Sequence, residues 1–320
     1  MVAMVNLARV MFAPLLAQII VVFGVGEGTA GLIATMVWLG SALPRIPTGW
    51  LLTRVSRYRV VLASGLVLAV SAALTASAGS VLTLGAGAFL MGVASGVYFT
   101  AANPLISELF PNRVGRMLGI HGTASQLSAV AAAPLVTLFL AVFVTWRAAF
   151  VAVAVAALAA TLLVAVTGKR TDLPDVGRRD RDLWGAARRE WQVVLLGTVI
   201  MGATGFVWQG LFNFYELYML TKGVADATAR NMLTIAFAAG VPAFLVSGHL
   251  VDRLPSVPYI LVIITSFLVA VGALIAARGT LSLLVLTAVV GYLIHSTFPA
   301  LDTYLLDTLP DDSRASAYAV

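Results

Sequence analysis

The chain alternates long apolar runs with short polar breaks. Read between glycine, proline and charge punctuation, it gives ten runs close to the ~20 apolar residues that a membrane-crossing helix needs. They cover roughly 4–24, 28–53, 58–78, 81–108, 114–140, 145–168, 192–221, 226–252, 258–277 and 280–307, and Ser313 to Val320 open an eleventh. A polar stretch over 169–191 separates six runs from four. The pattern predicts an all-α integral membrane protein. An N-terminal six-helix half fills 1–168, 169–191 is a linker, and a second half over 192–320 holds four helices and the start of a fifth.

Composition makes lipid the solvent. Hydrophobic residues are 60% of the chain and charged residues 11%, against roughly 25% charged in a soluble domain. The net charge of +6 does not point to nucleic acid, because the basic residues sit in short loops and form no basic face. No cysteine is present, which excludes disulfides, thiol catalysis and Cys-based metal sites. The first run lacks a basic leader and a cleavage site and reads as a span. Of the 20 Lys and Arg, fourteen fall in one set of loops and four, Arg147, Lys222, Arg230 and Arg278, in the other; Arg9 and Arg45 lie inside spans. That bias predicts a cytoplasmic amino terminus and linker in a plasma-membrane protein.

A shift of 199 residues aligns the two parts. Glu27, Thr29, Ala30 and Thr35 fall on Asp226, Thr228, Ala229 and Thr234; Gly49 and Arg54 fall on Gly248 and Arg253; Glu108 and Pro111 fall on Asp307 and Pro310. The repeat pairs spans 1–4 with spans 7–10 and implies six plus six helices in parallel duplication. On that plan the partners of spans 5 and 6 are expected beyond Val320, and the first helix is expected to be short at its start.

The residues at the repeat junctions resemble the major facilitator superfamily. That family carries a Gly-x-x-x-Asp-Arg-x-Gly-Arg-Arg type motif after span 2, often echoed after span 8. Here the copies read Gly49 to Arg57 and Gly248 to Arg253, and Glu108 to Pro111 and Trp146-Arg147 add to the likeness. The resemblance implies secondary transport by alternating access, with Gly49, Arg54, Arg57, Gly248, Asp252 and Arg253 governing the motion. Gly49 and Gly248 are expected to let helices approach closely. The chain departs from the family at Thr53, where Asp is usual, and at Ser56, where Gly is usual. Ala88 stands where many proton-coupled members carry Arg, and Ala133-Pro134-Leu135 replaces the drug-exporter pattern of span 5. Arg45-Ile46-Pro47 is similar to the second span of nitrate porters, but span 5 lacks their Gly- and Asn-rich signature, so nitrate itself is not expected.

A charge inside a membrane costs at least about 3 kcal/mol on insertion scales, so Arg9 and Arg45 are the first candidates for a binding site. Each lies eighteen residues from Glu27, at the hairpin between spans 1 and 2. At ~1.5 Å per residue they reach the same depth, ~27 Å along their helices. Two cations at one level suit a shared anion; the alternative is that they snorkel or pair with Glu108. Asn103, Tyr98 and Trp208 are further cargo-site candidates, with Phe212 and Tyr215 continuing an aromatic face on span 7. Glu216, Asp302 and His295 are candidates for proton coupling; pairing of the acids and core packing of the histidine are the alternatives.

No metal cluster, nucleotide loop or catalytic motif is present in the sequence, so no enzyme, cofactor or metal is expected. The expected partners are a small solute and the bilayer, for a monomer. A competing interpretation is a non-transporting or degenerate relative, a sensor or a fragment.

Overall fold

The computed structural model describes residues 1–52, 54–110, 114–170, 185, 188–251 and 253–308. All regular structure among them is helical, as lipid demands of a chain whose backbone polar groups must find partners within their own segment. The helices are α1 (Val2–Val10), α2 (Leu16–Phe23), α3 (Glu27–Ala42), α4 (Arg45–Leu51), α5 (Arg57–Ala76), α6 (Val81–Leu109), α7 (Val114–Phe143), α8 (Arg147–Gly168), α9 (Trp191–Thr221), α10 (Asp226–Val251), α11 (Ser256–Ala276) and α12 (Thr280–Thr308). Two compact units emerge, Met1–Arg179 and Asp180–Val320. Large apolar side chains such as Phe206, Val144 and Leu82 are more than 80% exposed, a surface suited to acyl chains and not to water.

Eight described spans are long and apolar enough to cross a membrane, α3 and α4 together making one of them. A ninth is broken: α1 and the segment Ala13–Phe23 meet at 44°. Pro14 opens the 3-10 turn Ala13–Leu15 at that break, where the ring removes a backbone donor. The tenth expected span is α10, 26 residues long, which opens on Asp226 and carries Arg230 and Asn231 in its next turn. Pro44 caps α4 and separates it from α3, the interruption expected beside Arg45.

The 199-residue shift recurs in the helices themselves. It places the start of α3 on the start of α10, α5 on α11 and α6 on α12. Gly24 and Gly223, also 199 apart, end their helices with φ of 61° and 77°, a left-handed cap that glycine adopts without strain. Within the first unit α3 and α5 pack on α6; within the second α10 and α11 pack on α12. The closest crossings repeat as well. A Cβ on Gly92 would overlap the Val37 carbonyl oxygen, and one on Gly291 the Ala236 carbonyl oxygen.

Each unit also caps the same helix end with a different cation. Arg147 Nη2 donates to the Ala78 carbonyl oxygen at 2.8 Å, beyond α5. Lys222 Nζ donates to the Ala277 carbonyl oxygen at 3.3 Å and to that of Ile275, at the end of α11. A basic group there completes orphan carbonyls and opposes the negative end of the helix dipole.

Gly49 departs from expectation. Among the described residues a Cβ there would meet nothing within 4 Å; Gly40, Gly92, Gly96, Gly240 and Gly291 make the tight crossings. The reason is its place on the short α4 after the Pro44 break. The side-chain position of Gly248 lies outside the described residues, as does Asp252.

Candidate functional site

In the first unit Arg9 stands in the last turn of α1. Its guanidinium carbon lies 4.2 Å from the ring centre of Trp38 on α3 and 5.6 Å from that of Phe99 on α6. The Nε atom is buried without a hydrogen-bond partner. Arg45, at the start of α4, is exposed, and its charge acts repulsively on Arg9. Glu108, the acid expected as their alternative partner, is engaged elsewhere: its Oε1 lies 2.9 Å from Nη1 of Arg57. Among the described residues neither Arg9 nor Arg45 has a carboxylate within 4 Å.

The energies leave this charge under-compensated. Each cation–π contact contributes roughly 0.5–2 kcal/mol, against about 3 kcal/mol or more for placing the charge within the membrane, and Arg45 adds repulsion. The serine hydroxyls of Ser41 and Ser95 are also buried without partners, on the two helices that carry Trp38 and Phe99.

Tyr98 does not line open space. It is 5% exposed, its hydroxyl lies 3.0 Å from His121 Nε2, and the rings stack at 5.8 Å. His121 also meets the Phe99 ring edge to face at 6.0 Å. Tyr98 and His121 therefore support Phe99, which faces Arg9. Asn103, one turn beyond Phe99, is exposed. Of the motif residues, Arg54 lies over the Trp50 ring at 4.1 Å, Arg57 ties the start of α5 to the end of α6 through Glu108, and Arg253 is exposed. The first motif thus keeps an acidic partner despite Thr53, drawn from α6.

In the second unit the repeat-equivalents of Arg9, Trp38 and Arg45 are Trp208, Phe237 and Phe244. The contact geometry is kept while the charge is lost. Trp208 meets Phe237 edge to face at 5.6 Å and His295 at 4.9 Å, and Phe244 stands 6.0 Å from His295. His295 is 4% exposed, its Nδ1 lies 2.7 Å from the Gly291 carbonyl oxygen, and its ring would lie 2.8 Å from a Cβ on Gly240. That is a packed, hydrogen-bonded core histidine. Trp208, Phe212 and Tyr215 line a cavity of about 10 Å³ with Thr287 and Gly291, room for about one water. Their aromatic stripe is chiefly packing.

Glu216 is 0% exposed and its Oε1 lies 3.0 Å from Nη2 of Arg230. Arg230 is 6% exposed and lies within α10, which corrects its expected place in a loop. The side chain of Asp302 lies outside the described residues.

Trp38, Phe99 and His121 surround Arg9 or support its neighbours, and the sequence pattern did not single them out. One signal was available for two of them: the 199-residue shift places Trp38 on Phe237 and Phe99 on Phe298, aromatic in both halves.

Comparison with known proteins agrees with this architecture. An uncharacterized transporter of Bacillus subtilis (strain 168), YycB, is 25% identical over 192 residues. The match covers 59% of this chain and 46% of the relative, so the chain spans less than half the length of that curated relative. Among solved structures, a bacterial homolog of the human lysosomal transporter Spinster, inward-facing and unoccupied, superposes with a TM-score of 0.79 at 17% identity, covering 99% of this chain and 75% of that one. The nucleoside transporter NupG gives 0.82 at 12% identity, covering 99% and 85%. The inward-open xylose transporter XylE from E. coli gives 0.77 at 14%, covering 99% and 83%. The family profile of the Major Facilitator Superfamily matches residues 1–320. With a parallel repeat, broken and intact apolar spans, and that match along its whole length, the chain belongs to the Major Facilitator Superfamily.

Proposed function

We propose that the protein carries a small anion across a bacterial plasma membrane as a secondary transporter, by alternating access. One observation carries the anion: Arg9 packs on Trp38 and Phe99, its Nε is buried without a hydrogen-bond partner, and neither it nor Arg45 has a carboxylate within 4 Å among the described residues. Arginine presents a planar fork of donors that suits an oxyanion. Family membership supports transport as the activity, and the related structures supply transport precedents, of a nucleoside for NupG and of xylose for XylE. The motif arginines support the conformational change, Arg57 through its Glu108 pair.

The test is uptake of small radiolabelled anions into proteoliposomes holding the 320-residue chain. Arg9→Gln and Arg45→Gln are each expected to lower uptake at least about tenfold, the scale of one lost charge-assisted contact. Arg59→Gln, on an exposed residue at the start of α5, is expected to leave it unchanged. Equal uptake of neutral solutes, with both arginine variants unaffected, overturns the anion assignment.

Orientation has an equally direct test, because the chain has no cysteine of its own. The loop bias supports a cytoplasmic amino terminus. In intact cells a membrane-impermeant maleimide is expected to label Glu27→Cys and not Arg59→Cys; the reverse pattern inverts the topology. Both parent residues are exposed.

A further inference from the structure

We infer that the anion held at Arg9 and Arg45 is the carboxylate of a small acid with a flat, apolar body, an aromatic monocarboxylate and not a tetrahedral inorganic oxyanion; this rests on the anion assignment above. The reason is what surrounds the guanidinium. Trp38 covers Arg9 at 4.2 Å and Phe99 stands 5.6 Å from it. With rings beside the guanidinium, we assign its edge to the ligand. That edge is a planar fork, matched by two coplanar oxygens.

A phosphate or sulfate needs donors around a tetrahedron, and it gives up a large hydration energy on leaving water. Around Arg9 the structure supplies rings. On α6 and α7, Tyr98 and His121 are engaged with each other, hydroxyl to Nε2 at 3.0 Å. The wall they support is Phe99, packed against His121 at 6.0 Å. A ligand that pairs one oxyanion end with a flat apolar end fits both parts of this surface: the carboxylate takes the guanidinium edge and the ring takes an offset or edge-to-face place beside Trp38 and Phe99.

The repeat marks the charge as particular to the first unit. Trp208, Phe237 and Phe244 occupy the positions equivalent to Arg9, Trp38 and Arg45, and the second unit packs them as an uncharged aromatic group. The charge is therefore confined to one unit at these positions, while the aromatic character is common to both. Within the first unit the charge of Arg9 and the rings of Trp38 and Phe99 stand side by side, which suits an acid with one charged and one apolar end.

The experiment uses the 320-residue chain in lipid nanodiscs and radiolabelled benzoate, with acetate, inorganic phosphate and benzamide as competitors. Saturable benzoate binding is expected, at least about tenfold tighter than acetate, the scale of one good ring contact. Phosphate and benzamide are expected not to compete. Trp38→Leu and Phe99→Leu are expected to erase the preference for benzoate over acetate while both still bind, and Trp38→Tyr to keep it. Arg9→Gln is expected to lose both ligands. A circular dichroism melt of each variant shows whether it is folded.

Phosphate that displaces benzoate as well as acetate does, or a preference that survives in folded Trp38→Leu, overturns the flat apolar acid and leaves the anion assignment standing. Benzamide that competes like benzoate, with folded Arg9→Gln binding normally, overturns the anion assignment itself. Absence of saturable benzoate binding to the folded parent chain also overturns the inference.

Discussion

Arg230→Met is expected to lower the stability of the protein by about 3–5 kcal/mol, the cost of leaving one member of a buried ion pair without the other. Glu216 is 0% exposed, and Arg230 reaches it from α10 at 3.0 Å. Glu216 Oε2 has no hydrogen-bond partner of its own, so the Arg230 guanidinium supplies its charge compensation. Removing that cation leaves a desolvated carboxylate in the second unit, and the variant is expected to unfold at lower detergent stress in an SDS titration. The double variant Glu216→Leu with Arg230→Met removes both charges and is expected to recover most of the loss, because replacing a whole buried pair with apolar groups is often neutral. The double variant also separates two roles for Glu216. If the pair only fastens α9 to α10, uptake in proteoliposomes returns with stability. If Glu216 couples transport to protons, the double variant folds and yet loses acceleration of uptake by a pH gradient.

How far the sequence reached depended on which coordinate was needed. Depth along a helix is written in residue count, which sets Arg9 and Arg45 eighteen residues either side of Glu27. The direction a side chain takes around its helix is set by packing, and there the sequence was weaker. Arg230 counted as a loop cation and turned out buried against Glu216. Tyr98 counted as a cavity residue and turned out bonded to His121, a partner 23 positions away on another helix. Gly49 drew attention through a family motif, yet among the described residues nothing lies within 4 Å of a Cβ there. The span boundaries were legible because lipid imposes one length on every crossing helix. Pairings such as Arg57 with Glu108 join residues far apart in the chain, and no short-range pattern announces them.

Gly92→Ala and Gly291→Ala are each expected to destabilise the protein, by about 1–3 kcal/mol or more, the usual cost of forcing an added group into a packed contact. The added Cβ would overlap a backbone carbonyl oxygen in each case, that of Val37 for Gly92 and that of Ala236 for Gly291. A backbone atom cannot swing aside as a side-chain tip can, so the helices themselves must separate, α6 from α3 and α12 from α10. Membrane helices associate through such close packing, since lipid gives them no hydrophobic drive to meet. The sign of the effect is diagnostic, because alanine is otherwise the better helix former. Gly85→Ala on α6 and Gly272→Ala on α11 have nothing within 4 Å of the new Cβ, and each is expected to be neutral or stabilising by about 0.5–1 kcal/mol. SDS titration of the four variants measures both arms. Matching losses at Gly92 and Gly291, set against gains at Gly85 and Gly272, would mean that the two halves keep the same helix crossing 199 residues apart. Equal behaviour of all four would remove the crossing glycines as the reason for that repeat.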